Sequence, residues 1–242
     1  MLAIIGAMKE EIDALAAEMR VSDRRVHAGI EVVRGHLGEV ALVLAKCGVG
    51  KVNATICTQM LLDLYRPHAL IFSGVAGGLL PNMKIGDVII ASHLIQYDMD
   101  LTAFGRRHGE LPGKDRMIEC DPRLVQKAAE AFDQAFPDPA SGPSLMLGTV
   151  VSGDRFIQDA EQLRWLQREF SALATEMEGA AVGYTCDLNG IPFVVIRGLS
   201  DTASENASTD FASNLSAVCD SCFQVLKRLI PAADTLEVVS AA

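Results

Sequence analysis

The chain is 242 residues long, 50% hydrophobic and 21% charged, with a formal net charge of −10. That length admits one large α/β domain or two small ones, and the composition is that of an ordinary globular protein. The acidic balance argues against duplex nucleic acid or an anionic membrane as the main partner and leaves small ligands open.

Residues 2–5 form a short apolar run that ends at Gly6 and leads into an amphipathic helix predicted over 8–19. Too few apolar residues precede the charges at 9–11 for a secretion signal or a membrane span, so a cytoplasmic location is expected. Residues 31–34 and 40–46 flank a glycine-containing turn and predict a hairpin. A helix follows over 51–65, with apolar positions 52, 56, 60, 61 and 64 on one face. The apolar run 69–72 leads into Gly74, Gly77 and Gly78, and 87–95 reads as another strand. Two prolines and three glycines in the polar stretch 105–122 predict a long loop, a lid or a subunit contact. Beyond it come a helix over 122–136, a Pro/Gly/Ser-rich connector, and strands over 145–152 and 173–177. Helices over 160–168 and 179–188, a strand over 192–199 and a helix over 208–229 complete the pattern. Residues 231–242 show no pattern and are expected to form a mobile tail.

Strand–helix alternation without an internal repeat implies one α/β domain over 1–230, a central mixed β-sheet flanked by helices. In open α/β sheets ligands bind beyond the carboxyl ends of the strands. Here those ends are 6–11, 74–78, 152–157, 176–178 and 197–201.

Several familiar motifs fail on inspection. Gly48-Val49-Gly50-Lys51 ends like a phosphate loop, but Ala45 stands for the leading glycine and Val52 for the metal-binding hydroxyl. The glycines at 74–78 lack dinucleotide-binding spacing, and no serine elbow or HExxH occurs. Six scattered cysteines read as free thiols. The Cys219/Cys222 pair has neither a second pair nor nearby histidines, so no metal site is expected.

What remains at the strand ends is acidic: Glu11, Glu176, Glu178 and Asp201, with one cation, Arg197. Carboxylates on either side of a scissile bond are how enzymes cleave glycosidic linkages, one as acid and one as base. Plainer alternatives exist for each. Glu11 and Glu178 fit helix-start acids, Arg197 and Asp201 fit an i,i+4 ion pair, and Phe156 and Met8 fit core positions.

Six segments decide between these readings: GAMKEE at 6–11, SGVAGGL at 73–79, DLTAFG at 100–105, SGDRFI at 152–157, ATEMEGAA at 174–181 and VIRGLSD at 195–201. Together, in order and spacing, they resemble the methylthioadenosine/S-adenosylhomocysteine nucleosidases of the purine nucleoside phosphorylase superfamily. The resemblance implies a nucleoside phosphorylase/hydrolase-like fold and hydrolysis of the bond between adenine and a 5′-thio-substituted ribose. It makes Asp201 the general acid on adenine and Glu11 the base for water, with Arg197 orienting the carboxylates. Glu178 would hold the ribose hydroxyls, ionised at its helix start, with Met177 along the sugar. Phe156 would stack on adenine, and backbone near Ile157 would read its edge. Met8 and Phe211 would line the 5′ slot, with Glu176 and Ser200 also among the substrate-binding residues. Val75 stands where many family members carry serine, removing a donor near the sugar and water. Leu101, Phe104 and Pro112 match positions that close the slot of a partner subunit, which implies a homodimer. No cofactor or metal is implied. Aminodeoxyfutalosine hydrolysis, purine nucleoside phosphorolysis and non-catalytic nucleoside binding are the alternatives.

Overall fold

Leu2, Ala3, Ile4 and Ile5 are fully buried because β1 (Leu2–Gly6) lies between two parallel neighbours. These are β4 (Val40–Lys46) and β5 (Ala69–Gly78), and a strand covered on both faces needs apolar residues at every position. The computed structural model describes residues 1–203 and 206–236. Beyond β4 the sheet continues through β3 (Ile30–Leu37) to β2 (Arg20–His27), both antiparallel.

On the other side β5 meets two strands, and the sheet closes on itself. It pairs parallel with β10 (Phe193–Asp201) and antiparallel with β9 (Ala174–Glu176). β10 pairs with β6 (Val88–Gln96), β6 with β8 (Leu145–Ser152), and β8 with β9, completing a ring of five strands. A two-residue strand, β7 (Ile118–Glu119), attaches to β6.

Helices cover both faces. α2 (Lys51–Tyr65) and α5 (Gly179–Leu188) pack Cys57, Leu61, Val182 and Cys186 on Ile5, Leu70 and Phe72. α1 (Lys9–Glu18), α3 (Pro122–Ala135) and α6 (Ala207–Asp234) cover the opposite face, where Leu15, Leu124 and Leu226 meet Ile4, Ile71 and Ile196. α4 (Ala160–Phe170) closes a third cluster with Ile95, Tyr97 and Val151. Among the described residues no helix is long and apolar enough to cross a membrane.

The single α/β domain with a mixed sheet is as expected, and four details differ. β2 has the polar sequence RVSDRRVH and escapes a hydrophobic pattern because it is an exposed edge, where charge discourages further pairing. β5 and β10 run on through their glycines to Gly78 and Asp201, beyond the expected strand ends at 72 and 199. The expected apolar face of α2 is largely outward: Val52, Ile56 and Leu64 are exposed, and Ala54, Cys57, Leu61 and Leu62 face the core. α6 continues through Pro231 to Asp234, with Ile230, Ala233 and Leu236 buried, so the domain extends past the boundary expected at 230. Burial of those apolar groups outweighs the backbone hydrogen bond that proline removes. The rest of the expected tail, 237–242, lies outside the described residues.

Candidate active site

The carboxyl ends of β1, β4, β5, β8, β9 and β10 converge on one cleft of about 420 Å³, a size suited to a small molecule. Glu11 reaches it from the first turn of α1. Its Oε2 accepts from the backbone N–H of Ala7 (2.6 Å) and Met8 (2.9 Å), and its Oε1 from that of Val75 (3.0 Å). Burial pushes its carboxyl above the usual range, opposed by the Arg197 charge and those three donors. Gly74 makes the approach possible: a Cβ there would lie 2.5 Å from Glu11 Oε1 and 2.9 Å from Arg197 Nη1.

Arg197 is fully buried within β10, its guanidinium 4.0 Å above the Phe72 ring. Its Nη2 donates to Glu176 Oε2 at 2.6 Å, so the i,i+4 ion pair with Asp201 is not formed. Burial works against the guanidinium charge, but Glu176, Glu11 and Glu178 raise its pKa further. Glu176 is saturated by protein donors. Besides Arg197 it accepts from the N–H groups of Glu178 and Gly179 and from the Ser152 hydroxyl, which itself accepts from Ala180 N–H.

That network explains a departure at Glu178. The first N–H groups of α5 serve Glu176 and Ser152, and Glu178 turns away to accept from Gly50 N–H at 2.7 Å. Burial and then the neighbouring Glu176 charge push its carboxyl up to about 8, opposed by Arg197 and the Gly50 bond. The expectation that the helix start keeps Glu178 ionised is therefore corrected: burial and a like charge outweigh a dipole whose donors are already taken.

Asp201 ends β10 and lines the same cleft. Ser200 Oγ donates to its Oδ2 (2.9 Å) and Ala203 N–H to its Oδ1 (2.9 Å). Burial raises its carboxyl pKa against those two bonds, which favours a proton-holding acid. Ala203 makes its bond from a left-handed backbone at φ +48°, local strain of the kind found at functional sites.

The walls are apolar. Met8, Val75 and Phe211 join Val218 and Cys219 in one cluster. Phe156, 46% exposed, meets Phe211 edge to face at 5.9 Å, and Ile157 is buried below it. Met177 is half-buried against the cleft.

Comparison with known proteins agrees with this geometry. The phosphorylase superfamily model matches residues 1–231. A methylthioadenosine/S-adenosylhomocysteine nucleosidase of Geobacillus thermodenitrificans is 40% identical over 86% of this chain and 87% of its own length. The nucleosidase of that name from Neisseria meningitidis, solved with methylthio-immucillin-A, superposes with TM-score 0.90 at 32% identity, covering 96% and 98% of the two chains. A futalosine hydrolase of Helicobacter pylori gives TM-score 0.90 at 31% identity, with 96% and 97% covered. This chain belongs to the methylthioadenosine/S-adenosylhomocysteine nucleosidase family.

In this nucleosidase the cleft gathers Met8, Glu11, Val75, Phe156, Ile157, Glu176, Met177, Glu178, Ser200, Asp201 and Phe211. Arg197 lies just behind it, bound to Glu176. Leu101, Phe104 and Pro112 lie instead in the segment between β6 and β7, where Phe104 is 82% exposed on a short 3-10 turn, Thr102–Phe104. Val49, Gly50 and Thr175 were missed by sequence reasoning, and Gly77 was read only as part of the 74–78 strand end. A signal for the first two existed: β4 is a parallel neighbour of β1, so its carboxyl end opens on the same side. The six cysteines are free and buried, and no metal-binding cluster occurs among the described residues.

Proposed function

We propose that this chain hydrolyses the N-glycosidic bond of 5′-methylthioadenosine and S-adenosylhomocysteine, releasing adenine and the 5′-thio-substituted ribose. The observation that carries this reading is that Asp201, Glu11 and Glu178 line one cleft. Asp201 gives its proton to the imidazole-side ring nitrogen of adenine, and the C1′–N9 electron pair leaves with the purine. Water adds to the cationic C1′ and loses a proton to Glu11. Glu178 binds the ribose hydroxyls, and its negative form stabilises the developing cation. Phe156 stacks on the base, Ile157 and Ser200 flank it, and Met177 lies along the sugar. Met8, Val75 and Phe211 offer an apolar surface to the 5′-thio group.

Phosphorolysis is disfavoured by charge. Phosphate requires a cationic cradle, whereas Arg197 is held by Glu176 and the carboxylate of Glu11 borders the same space. Aminodeoxyfutalosine remains the second substrate reading, supported by the equal likeness to the Helicobacter futalosine hydrolase. The proposal includes a cytoplasmic homodimer in which Leu101, Phe104 and Pro112 close the partner's slot.

The test is adenine release from methylthioadenosine, S-adenosylhomocysteine, aminodeoxyfutalosine and inosine, with and without phosphate. Release from the first two without phosphate supports the proposal, and strict phosphate dependence overturns it. Asp201→Asn should lower kcat/KM by about 10²–10⁴ while nucleoside binding survives. Wild-type turnover by that variant would remove Asp201 from its role. Binding without turnover by the wild type would leave only a nucleoside-binding protein.

A further inference from the structure

Thr175 is 6% exposed, and its Oγ1 has no hydrogen-bond partner, although the residue lines the cleft. Its neighbour Glu176 has both oxygens engaged, so the polar network of β9 stops one residue short of this hydroxyl. A buried hydroxyl without a partner lowers stability, and valine would present the same shape without that cost.

The strand register places Thr175 relative to the acid. Thr175 stands opposite Gly77 in β5, and Gly77 stands opposite Asp201 in β10. Residues paired across neighbouring strands project to the same face. Gly77 shows which face this is, because a Cβ there would lie 2.7 Å from Asp201 Oδ1. Thr175 and Asp201 thus flank one rung two strand spacings apart, roughly 10 Å between backbones. A purine ring system spans that interval. Threonine has more than one staggered χ1 well in a strand, so its hydroxyl can turn from the wall toward a base.

We propose that Thr175 is a base-recognising residue whose hydroxyl donates to purine N3, on the edge opposite the nitrogen protonated by Asp201. The inference rests on the reading that adenine occupies the Asp201 end of the cleft. The hydroxyl is then unsatisfied only in the free enzyme, and the base supplies its missing partner.

The test compares wild type, Thr175→Val and Thr175→Ser on 5′-methylthioadenosine and its 3-deaza analogue, which lacks the N3 acceptor, with thermal unfolding of each ligand-free protein. Thr175→Val should lose five- to tenfold in kcat/KM on methylthioadenosine, mainly through KM, with Tm unchanged or raised. Thr175→Ser should restore most of the loss, and on the 3-deaza analogue all three should agree within about twofold. Unchanged kcat/KM in Thr175→Val overturns the inference while wild-type adenine release upholds the functional reading. Equal losses on both substrates with a lowered Tm assign Thr175 to packing and overturn it too. A wild type that releases no adenine overturns the functional reading and this inference together.

Discussion

Three carboxylates, Glu11, Glu176 and Glu178, surround one buried guanidinium, and Arg197 cannot neutralise them all. Burial raises the carboxyls of both Glu11 and Glu178, and the neighbouring Glu176 charge adds to the rise at Glu178. The consequence for stability has a definite sign. A carboxyl raised to about 8 in the fold but ordinary when unfolded stays protonated in the native state while the unfolded chain ionises. The unfolded state then binds fewer protons, so stability falls as pH rises from about 4.5 to about 8. Glu178→Gln keeps an acceptor for Gly50 N–H and removes that ionisation. Its ligand-free Tm should therefore depend less on pH across that window than the wild type's, and near pH 8 it should be the more stable protein, by an amount on the order of a few kcal/mol. Parallel slopes for the two proteins would show that Glu178 ionises normally. Adenine release should meanwhile drop, since the amide, unlike the carboxyl, has no anionic form to stabilise a cationic sugar.

The long segment between β6 and β7 is ordered by specific anchors. Arg116 donates to Glu169 Oε1 (2.7 Å), to its backbone oxygen (3.2 Å) and to that of His108 (3.3 Å), and stacks on Phe170 at 5.3 Å. His108 meets Trp165 edge to face at 5.1 Å. Proline, glycine and polarity predict a loop here, and nothing local to 105–122 says that α4 receives it. Arg116→Ala removes a half-buried ion pair together with a ring contact and should cost about 1–2 kcal/mol. In a chain of this length that lowers Tm by roughly 2–8 °C. Trp165 is the single tryptophan, so the same variant should shift the emission toward the solvent-exposed value. An unchanged Tm and spectrum would mean that the segment is held elsewhere.

At the scale of the molecule, several of the exposed apolar residues lie on elements joined by side-chain contacts. Val52, 69% exposed, and Ile56 lie on α2, Leu188 ends α5, and Phe104 projects from the adjoining segment. Lys51–Asp98, Gln59–Asn189 and Lys114–Asp187 contacts tie these elements together. Exposed apolar surface of this kind is what the proposed homodimer would bury. Phe104→Asp should convert a dimer to a monomer in sedimentation and lower kcat/KM on methylthioadenosine about tenfold or more, with the fold intact by circular dichroism. A monomeric wild type, or full activity in the variant, would sink the idea of a shared slot.

Strand and helix positions were legible in the chain wherever burial is two-sided, as in β1, β5 and α5, because such elements carry their environment in their own composition. The placement of the acids at the cleft was legible as well. Glu11 follows β1 and Asp201 ends β10, strands parallel to β5 whose carboxyl ends face the same way, whereas Glu178 follows β9, which is antiparallel to β5. The resemblance of six segments to one family is what proposes them as catalytic groups rather than helix-start acids. Closure of the five-stranded ring, the pairing of Arg197 with Glu176, the raised Glu178 carboxyl and the unpartnered Thr175 hydroxyl were decided by tertiary structure alone. Each depends on which groups meet across strands distant in sequence, and desolvation and hydrogen bonding act through that proximity rather than through residue type.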